Sequence, residues 1–359
     1  MLMKAKKIIR LVVLVPVLTA LALTYAPVTS GEDYVSAVKL EKPKAMIYPG
    51  GARVGRREGA VTISFDVNTD GTTSDHAVEY STGDVTLEKA LIKEYANTLF
   101  SPAMIDKKPV STRRYHNMVF YIRGKSRGVS RGVRKEWRRF WDAIEAKDQA
   151  DALKRVEHME KVAHRSLVDE LYLQLAWASY FDFAEDYDAA HVRLDVVHSL
   201  YSVNKSMPEK LVQEPTFFAP LFKKYQYEAR NALIGGAQQT LAALIEMGGE
   251  TKSAQLAKQH FEGMVDELGE QELVTEVVLQ LSPFGAKHYV GSLVLYRRIL
   301  EIRDVTDGVW SITVNCGDWQ RTLRREGMAQ LVIDEDVERC ALFARGAQGS
   351  SFTVVQYAS

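Results

Sequence analysis

The apolar pattern of this 359-residue chain changes period twice, and that restricts it to a three-part architecture. In the first part Val61, Ile63, Phe65 and Val67 alternate, as a strand with one face on a core does, and a turn follows at Asp70-Gly71. Leu87, Leu91, Tyr95 and Leu99 then recur at four-residue spacing, one buried helical face, before a last strand through Val119-Phe120-Tyr121-Ile122. From residue 133 to about 281 the spacing is helical, with Trp137, Phe140, Trp141 and Ile144, then Leu171, Leu175, Ala178 and Tyr180-Phe181. Strand-like runs return at residues 293–296, 308–314, 329–333 and 351–355. The expected fold is multidomain: a small α+β module at 46–123, an α-helical repeat-like domain at 134–285 and a small antiparallel β unit at 291–359.

Inside the helical part, residues 173–190 read as one tetratricopeptide-like hairpin, with small residues where two helices cross and an acidic-aromatic turn between them. Residues 229–268 give a second candidate, divided at Gly248-Gly249. Pro208, Pro215 and Pro220 mark a long loop between the halves. Two connectors complete the map, a polar Lys-rich linker or edge strand at 31–45 and a basic linker at 124–133.

The first 30 residues read as a secretion signal. Lys4, Lys6, Lys7 and Arg10 precede an apolar run over 11–23, and Val28-Thr29-Ser30 offers small residues for cleavage. A spanning helix needs ~20 apolar residues, and this run is shorter and contains Pro16. The address is therefore the periplasm, the alternative being an uncleaved anchor that tethers the protein to the inner membrane and faces it into the periplasm. In such a compartment Cys316 and Cys340 either pair, for about 3–4 kcal/mol of loop closure, or remain two buried thiols. Over the whole chain the 46 basic and 46 acidic residues balance, so nothing calls for nucleic acid.

Chemistry is sparse. The eight histidines do not converge, His158 and His164 being off the spacing that puts two imidazoles on one helical face. Gly124-Lys125-Ser126 lacks the upstream Gly of a phosphate loop, where Val119 stands. Asp66 to Gly71 matches the first half of a calcium loop, but Ala77 occupies the position of its bidentate Glu. No catalytic residue, cofactor site or metal site is expected, and the chain is read as a non-enzyme.

The landmarks of the first module resemble the TonB C-terminal domain family. Tyr48, Pro49 and Ala52 match its opening, and Glu58, Gly59 and Val61 its first strand. Val78 to Gly83 matches its second strand and Ser-Ser-Gly exit, with Thr82 in place of one Ser. Phe100, Pro102 and Ala103 match the Phe-x-Pro-Ala that ends its helix, and Lys108-Pro109-Val110 its following turn, with Lys107 replacing a Gly. The resemblance implies strand capture: a TonB box-like segment of an outer-membrane transporter, or of another envelope protein, pairs along a sheet edge. The partner-binding residues would be Asn117, Met118, Val119, Phe120, Tyr121 and Ile122, with Tyr48 and Pro49 beside them. Only about 20 residues separate the apolar run from the module, a reach of about 70 Å at full extension. That spacing, and the two further domains, favour an adaptor over a force-transmitting transducer.

Overall fold

A computed structural model describes residues 34–40, 48–122, 128–162, 166–207, 209–281, 289–323, 331–333 and 340–358. The signal at 1–30, residues 31–33 and 41–45 of the linker, and the Gly-Lys-Ser triplet lie outside the described residues. Among them, no helix is long and apolar enough to cross a membrane.

The module is a three-stranded antiparallel sheet with a helix on one face. Strands β1 (Gly59–Val67), β2 (Thr73–Ser81) and β3 (Thr112–Phe120) lie in the order β2-β1-β3, after a short helix α1 (Gly50–Val54). Pairing of β1 with β3 is unbroken, from Gly59 opposite Phe120 to Val67 opposite Thr112. Helix α2 (Val85–Ala96) starts where the Asp84 side chain accepts from the Thr86 amide at 2.9 Å, and it buries Leu87, Leu91 and Tyr95 on Val61, Ile63, Phe65 and Val67. Leu99 departs from the expected helical face. Asn97 and Thr98 turn back onto the carbonyls of Lys93 and Glu94, the helix ends, and Leu99 stands exposed.

At the β1–β2 turn Gly71 has a φ of 83°, and a Cβ there would lie 2.2 Å from the Phe100 carbonyl oxygen. The turn is thereby joined to the short strand at Phe100–Ser101, whose amide at Phe100 donates to Gly71. Within 31–45, residues 34–40 carry two-residue strands at Tyr34–Val35 and Val38–Lys39, paired with Ala103–Ile105 and Phe100–Ser101.

The expectation of one buried face for β1 needs correction, because its other face is covered too. A register shift beside Thr62 makes Glu79 an extra residue in β2, so Glu79 and Tyr80 both reach the face away from α2. There Ala60, Tyr80, Val119 and Tyr121 join a core built from helices. These are α5 (Leu167–Phe183), α6 (Tyr187–Ser206), α7 (Phe218–Arg230), α8 (Ile234–Gly248) and α9 (Lys252–Leu268), while α3 (Arg131–Glu145) and α4 (Gln149–Val162) pack against α5 in an adjoining cluster. Ser130, Ser166, Asp186 and Thr251 each cap a helix by accepting an amide from its first turn. Helix α5 is apolar nearly all round and runs through the middle of the layer. Hairpins α5–α6 and α8–α9 fall on the two stretches singled out in the sequence. Of the proline loop, Pro208 lies outside the described residues; Pro215 is the second residue of a 3-10 turn that starts at Glu214, and Pro220 lies in the first turn of α7, positions where a missing amide costs little.

The helical region ends at Leu268 rather than 285, and the β unit starts earlier than 291 because β4 (Leu273–Val278) belongs to it. The other strands are β5 (Tyr289–Val294), β6 (Ile299–Arg303), β7 (Val309–Cys316), β8 (Trp319–Leu323), β9 (Ala341–Gly346) and β10 (Ser351–Tyr357). One sheet orders a two-residue strand Gln280–Leu281, then β5-β9-β7-β8, the other a two-residue strand Leu331–Val332, then β6-β10-β4, and Leu293, Ile312, Val314 and Leu342 of the first interleave with Leu300, Ile302, Phe352 and Val354 of the second. A disulfide joins Cys316 at the end of β7 to Cys340 just before β9. It closes a separation of 24 residues, for which chain entropy gives about 3 kcal/mol.

Candidate partner-binding site

Strand β3 is an edge strand of its sheet, and its residues alternate between the two sides. Even-numbered residues face α2: His116 stacks at 4.6 Å on Tyr95, while Met118 and Phe120 sit in the module core. Odd-numbered residues face the helices and the β unit: Tyr115 stacks at 4.8 Å on Phe343, and Val119 and Tyr121 join the helical core. Backbone direction follows the same parity in an antiparallel strand. The outward amides and carbonyls belong to Arg113, Tyr115, Asn117, Val119 and Tyr121.

The first two of these positions are already filled. The Arg113 amide donates to the Thr322 hydroxyl at 2.7 Å, and that hydroxyl lies 3.5 Å from the Arg113 carbonyl. Tyr115 donates its amide to Gln320 Oε1 at 2.9 Å and accepts from Gln320 Nε2 at 3.3 Å. Two side chains of β8 thus stand where a neighbouring strand's backbone would. The backbone of Gln320 is itself engaged, its amide donating to Ser36 Oγ at 3.1 Å and its carbonyl accepting from the Tyr34 hydroxyl. Around this contact Arg113 is buried among Asp66, Asp75 and Ser64 at 2.8 Å each, and Arg345 reaches Asp75 at 3.4 Å.

The outward groups of Asn117, Val119 and Tyr121 have no partner among the described residues. Of the six expected edge residues, these three have their backbone groups directed away from β1. Met118 and Phe120 turn their backbone toward β1 and their side chains into the core, so the expectation is corrected for them. The Ile122 amide is held by buried Glu58 at 3.0 Å. Tyr48 packs edge-on at 5.7 Å against Phe120 and donates its hydroxyl to the Arg57 carbonyl. Burial, with Glu58 and Asp84 nearby, pushes that hydroxyl up to about 12. The Pro49 carbonyl accepts from Arg53 to start α1. Both residues shape the fold next to Phe120 rather than presenting a polar group to the edge.

Beside Asn117 opens a cavity of about 750 Å³, walled by the module sheet at Thr62 and Tyr80, by α6 at Leu200 and Val203, and by the β unit at Phe343. Its size is that of a ligand pocket. At its α6 wall stand His191 and Asp195, which with Glu228 of α7 lie close enough to hold a metal ion. The Lys224 ammonium is already there, however, bonded to Glu228, 3.1 Å from Asp195 and 3.1 Å from Thr240 Oγ1. Burial pushes the Asp195 carboxyl up, but Lys224 and His191 outweigh it and hold it below its ordinary value; burial lowers Lys224, and Asp195 and Glu228 raise it more. Both shifts favour the charged forms, as in a structural ion pair, whereas acid–base catalysis wants groups poised near neutrality.

Residues 44–122 match the family model described as the Gram-negative bacterial TonB protein C-terminal. The module is thus similar to the TonB C-terminal domain, over less than a quarter of the chain. Protein TonB of Haemophilus influenzae is 39% identical over 59 residues, which is 16% of this chain and 22% of that protein. The chain thus spans about a fifth of the length of the curated relative it matches.

Proposed function

We propose that the protein is a TonB-like component of the cell envelope that captures an extended segment of a partner on the β3 edge, at Asn117, Val119 and Tyr121. The partner is an outer-membrane transporter carrying a TonB box-like segment, or another envelope protein with such a segment, and the capture assists transport across the outer membrane. One observation carries the reading: three outward backbone positions on an edge strand lack partners among the described residues, in a domain of the TonB C-terminal type. The test uses proline, which deletes an amide and is tolerated where an edge strand faces outward. Asn117→Pro should weaken capture of a TonB-box peptide by the full chain at least tenfold, with the fold retained by circular dichroism. Undiminished binding rejects the edge as the docking site.

A second reading is a periplasmic adaptor acting through its helical repeats without energy transduction. It draws support from the packing of Tyr80, Val119 and Tyr121 into the helical core, which makes the module part of a larger body. Crosslinks to envelope partners confined to residues 134–285 would favour it over strand capture.

A further inference from the structure

We infer that the C-terminal β unit is a built-in register stop on the capture edge, limiting a captured segment to about five residues; this rests on the strand-capture reading above. The side chains of Gln320 and Thr322 meet Tyr115 and Arg113 in antiparallel order, so β8 behaves as a neighbouring strand made of side chains. By the same order Asp318 would come opposite Asn117. The chain turns away there instead: Gly317 takes a φ of 75°, and the Asp318 carbonyl accepts from Arg114 at 3.3 Å. The disulfide at Cys316 fixes the strand end that leads into this turn.

The stop has several supports besides the two side chains. Tyr34 lies edge-on to Trp319 at 5.5 Å, Phe343 stacks on Tyr115, and Arg345 pairs with Asp75. The buried Gln320 is bonded through its side chain to β3 and through its backbone to Tyr34 and Ser36. The two sheets therefore approach edge to edge without fusing, each edge blunted by side chains. A segment running along β3 finds outward groups at Asn117, Val119 and Tyr121 and then meets the turn at Gly317-Asp318. Three alternate positions span five residues of partner. Any further length on the β8 side finds no backbone to pair with.

The test is made on the full chain with two probes, a five-residue peptide of alternating Val and Thr and a nine-residue extension of it. Each further strand hydrogen bond would tighten binding roughly twofold to tenfold if the edge were open. With the stop in place the two peptides bind within twofold of each other. Hydrogen exchange resolved by residue then slows at Asn117, Val119 and Tyr121, while Arg113 and Tyr115, slow before addition, do not change. A Thr112→Cys/Thr322→Cys variant, whose parent hydroxyls lie 3.2 Å apart, locks β8 to β3 under oxidising conditions, so the two peptides should still bind it within twofold of each other. Tighter binding of the longer peptide, lost on locking, overturns the stop and makes β8 a displaceable cover. Failure of either peptide to bind the unmodified chain refutes strand capture itself, and the stop with it. The footprint on the unmodified chain keeps the proposal open to refutation even if the cysteine variant does not fold.

Discussion

Replacing Lys224 by Met tests whether the polar cluster beside the cavity is a closed ion pair. The Lys224 and Glu228 side chains are 4% and 2% exposed, so both charges are out of water. Without the ammonium, Glu228 keeps Thr240 at 2.7 Å and His191 at 3.4 Å but loses the buried lysine charge that balances it. Breaking a buried pair from one side costs about 3–5 kcal/mol. Asp195 is half exposed, so its share is that of a surface pair, below ~1 kcal/mol. Lys224→Met should thus lose about 3–5 kcal/mol, a large part of a domain's typical 5–15 kcal/mol. The double variant Lys224→Met/Glu228→Leu, with both charges gone, should recover most of that loss. Urea unfolding followed by tryptophan fluorescence gives all three stabilities. The pH dependence adds a check. The raised Lys224 contributes stability present below pH 10.5 and lost as pH rises through its higher folded value. The depressed Asp195 contributes stability present above pH 3.8 and lost as pH falls through its lower folded value. A loss below ~1 kcal/mol for Lys224→Met, or a double variant no better than the single, would refute this account.

Two further outcomes follow from the module. Burial, with Lys39 and Arg114 nearby, pushes His116 down to about 4 from an ordinary 6.5, so the unfolded chain binds a proton there before the folded one does. Stability should fall by up to about 3 kcal/mol as pH drops from 6.5 toward 4, and His116→Phe, which keeps a ring against Tyr95, should flatten that slope in urea titrations at stepped pH. Gly71→Ala should cost more than about 2 kcal/mol in the same assay, since the position needs a left-handed backbone and the new methyl would meet the Phe100 carbonyl; an unchanged midpoint would show that the turn relaxes freely.

What the sequence discloses of this fold is what neighbours in the chain decide. The alternation through Phe65, the Asp70-Gly71 turn and the Leu87, Leu91 and Tyr95 face are local, and they specify the module's elements before any tertiary contact is known. The α8–α9 break at Gly248-Gly249 is legible for the same reason. Leu99 fits a four-residue spacing that the caps at Asn97 and Thr98 interrupt, so a short-range competitor defeats the period. The edge residues are half legible. A run such as Asn117 to Ile122 marks a strand, but which of its amides point outward depends on pairing parity, which only the β1 register supplies. The contacts of Gln320 and Thr322 leave no local trace, because they join residues more than 200 positions apart through side chains common in any strand. The one available signal is a pair of polar residues two apart on a short strand after a Gly turn, and many strands have that.

The same separation has a consequence in time. During synthesis or export the N-terminal module emerges well before the residues that carry Gln320 and Thr322. Its sheet can form on α2 from contacts within residues 48–122 alone, leaving all five outward positions of β3 open. An uncovered edge of that length invites pairing with another chain. The edge reaches its final, shortened form only when the last strands arrive and settle against Tyr115 and Arg113. Until then the newborn chain exposes a longer unpaired strand edge than the finished protein does.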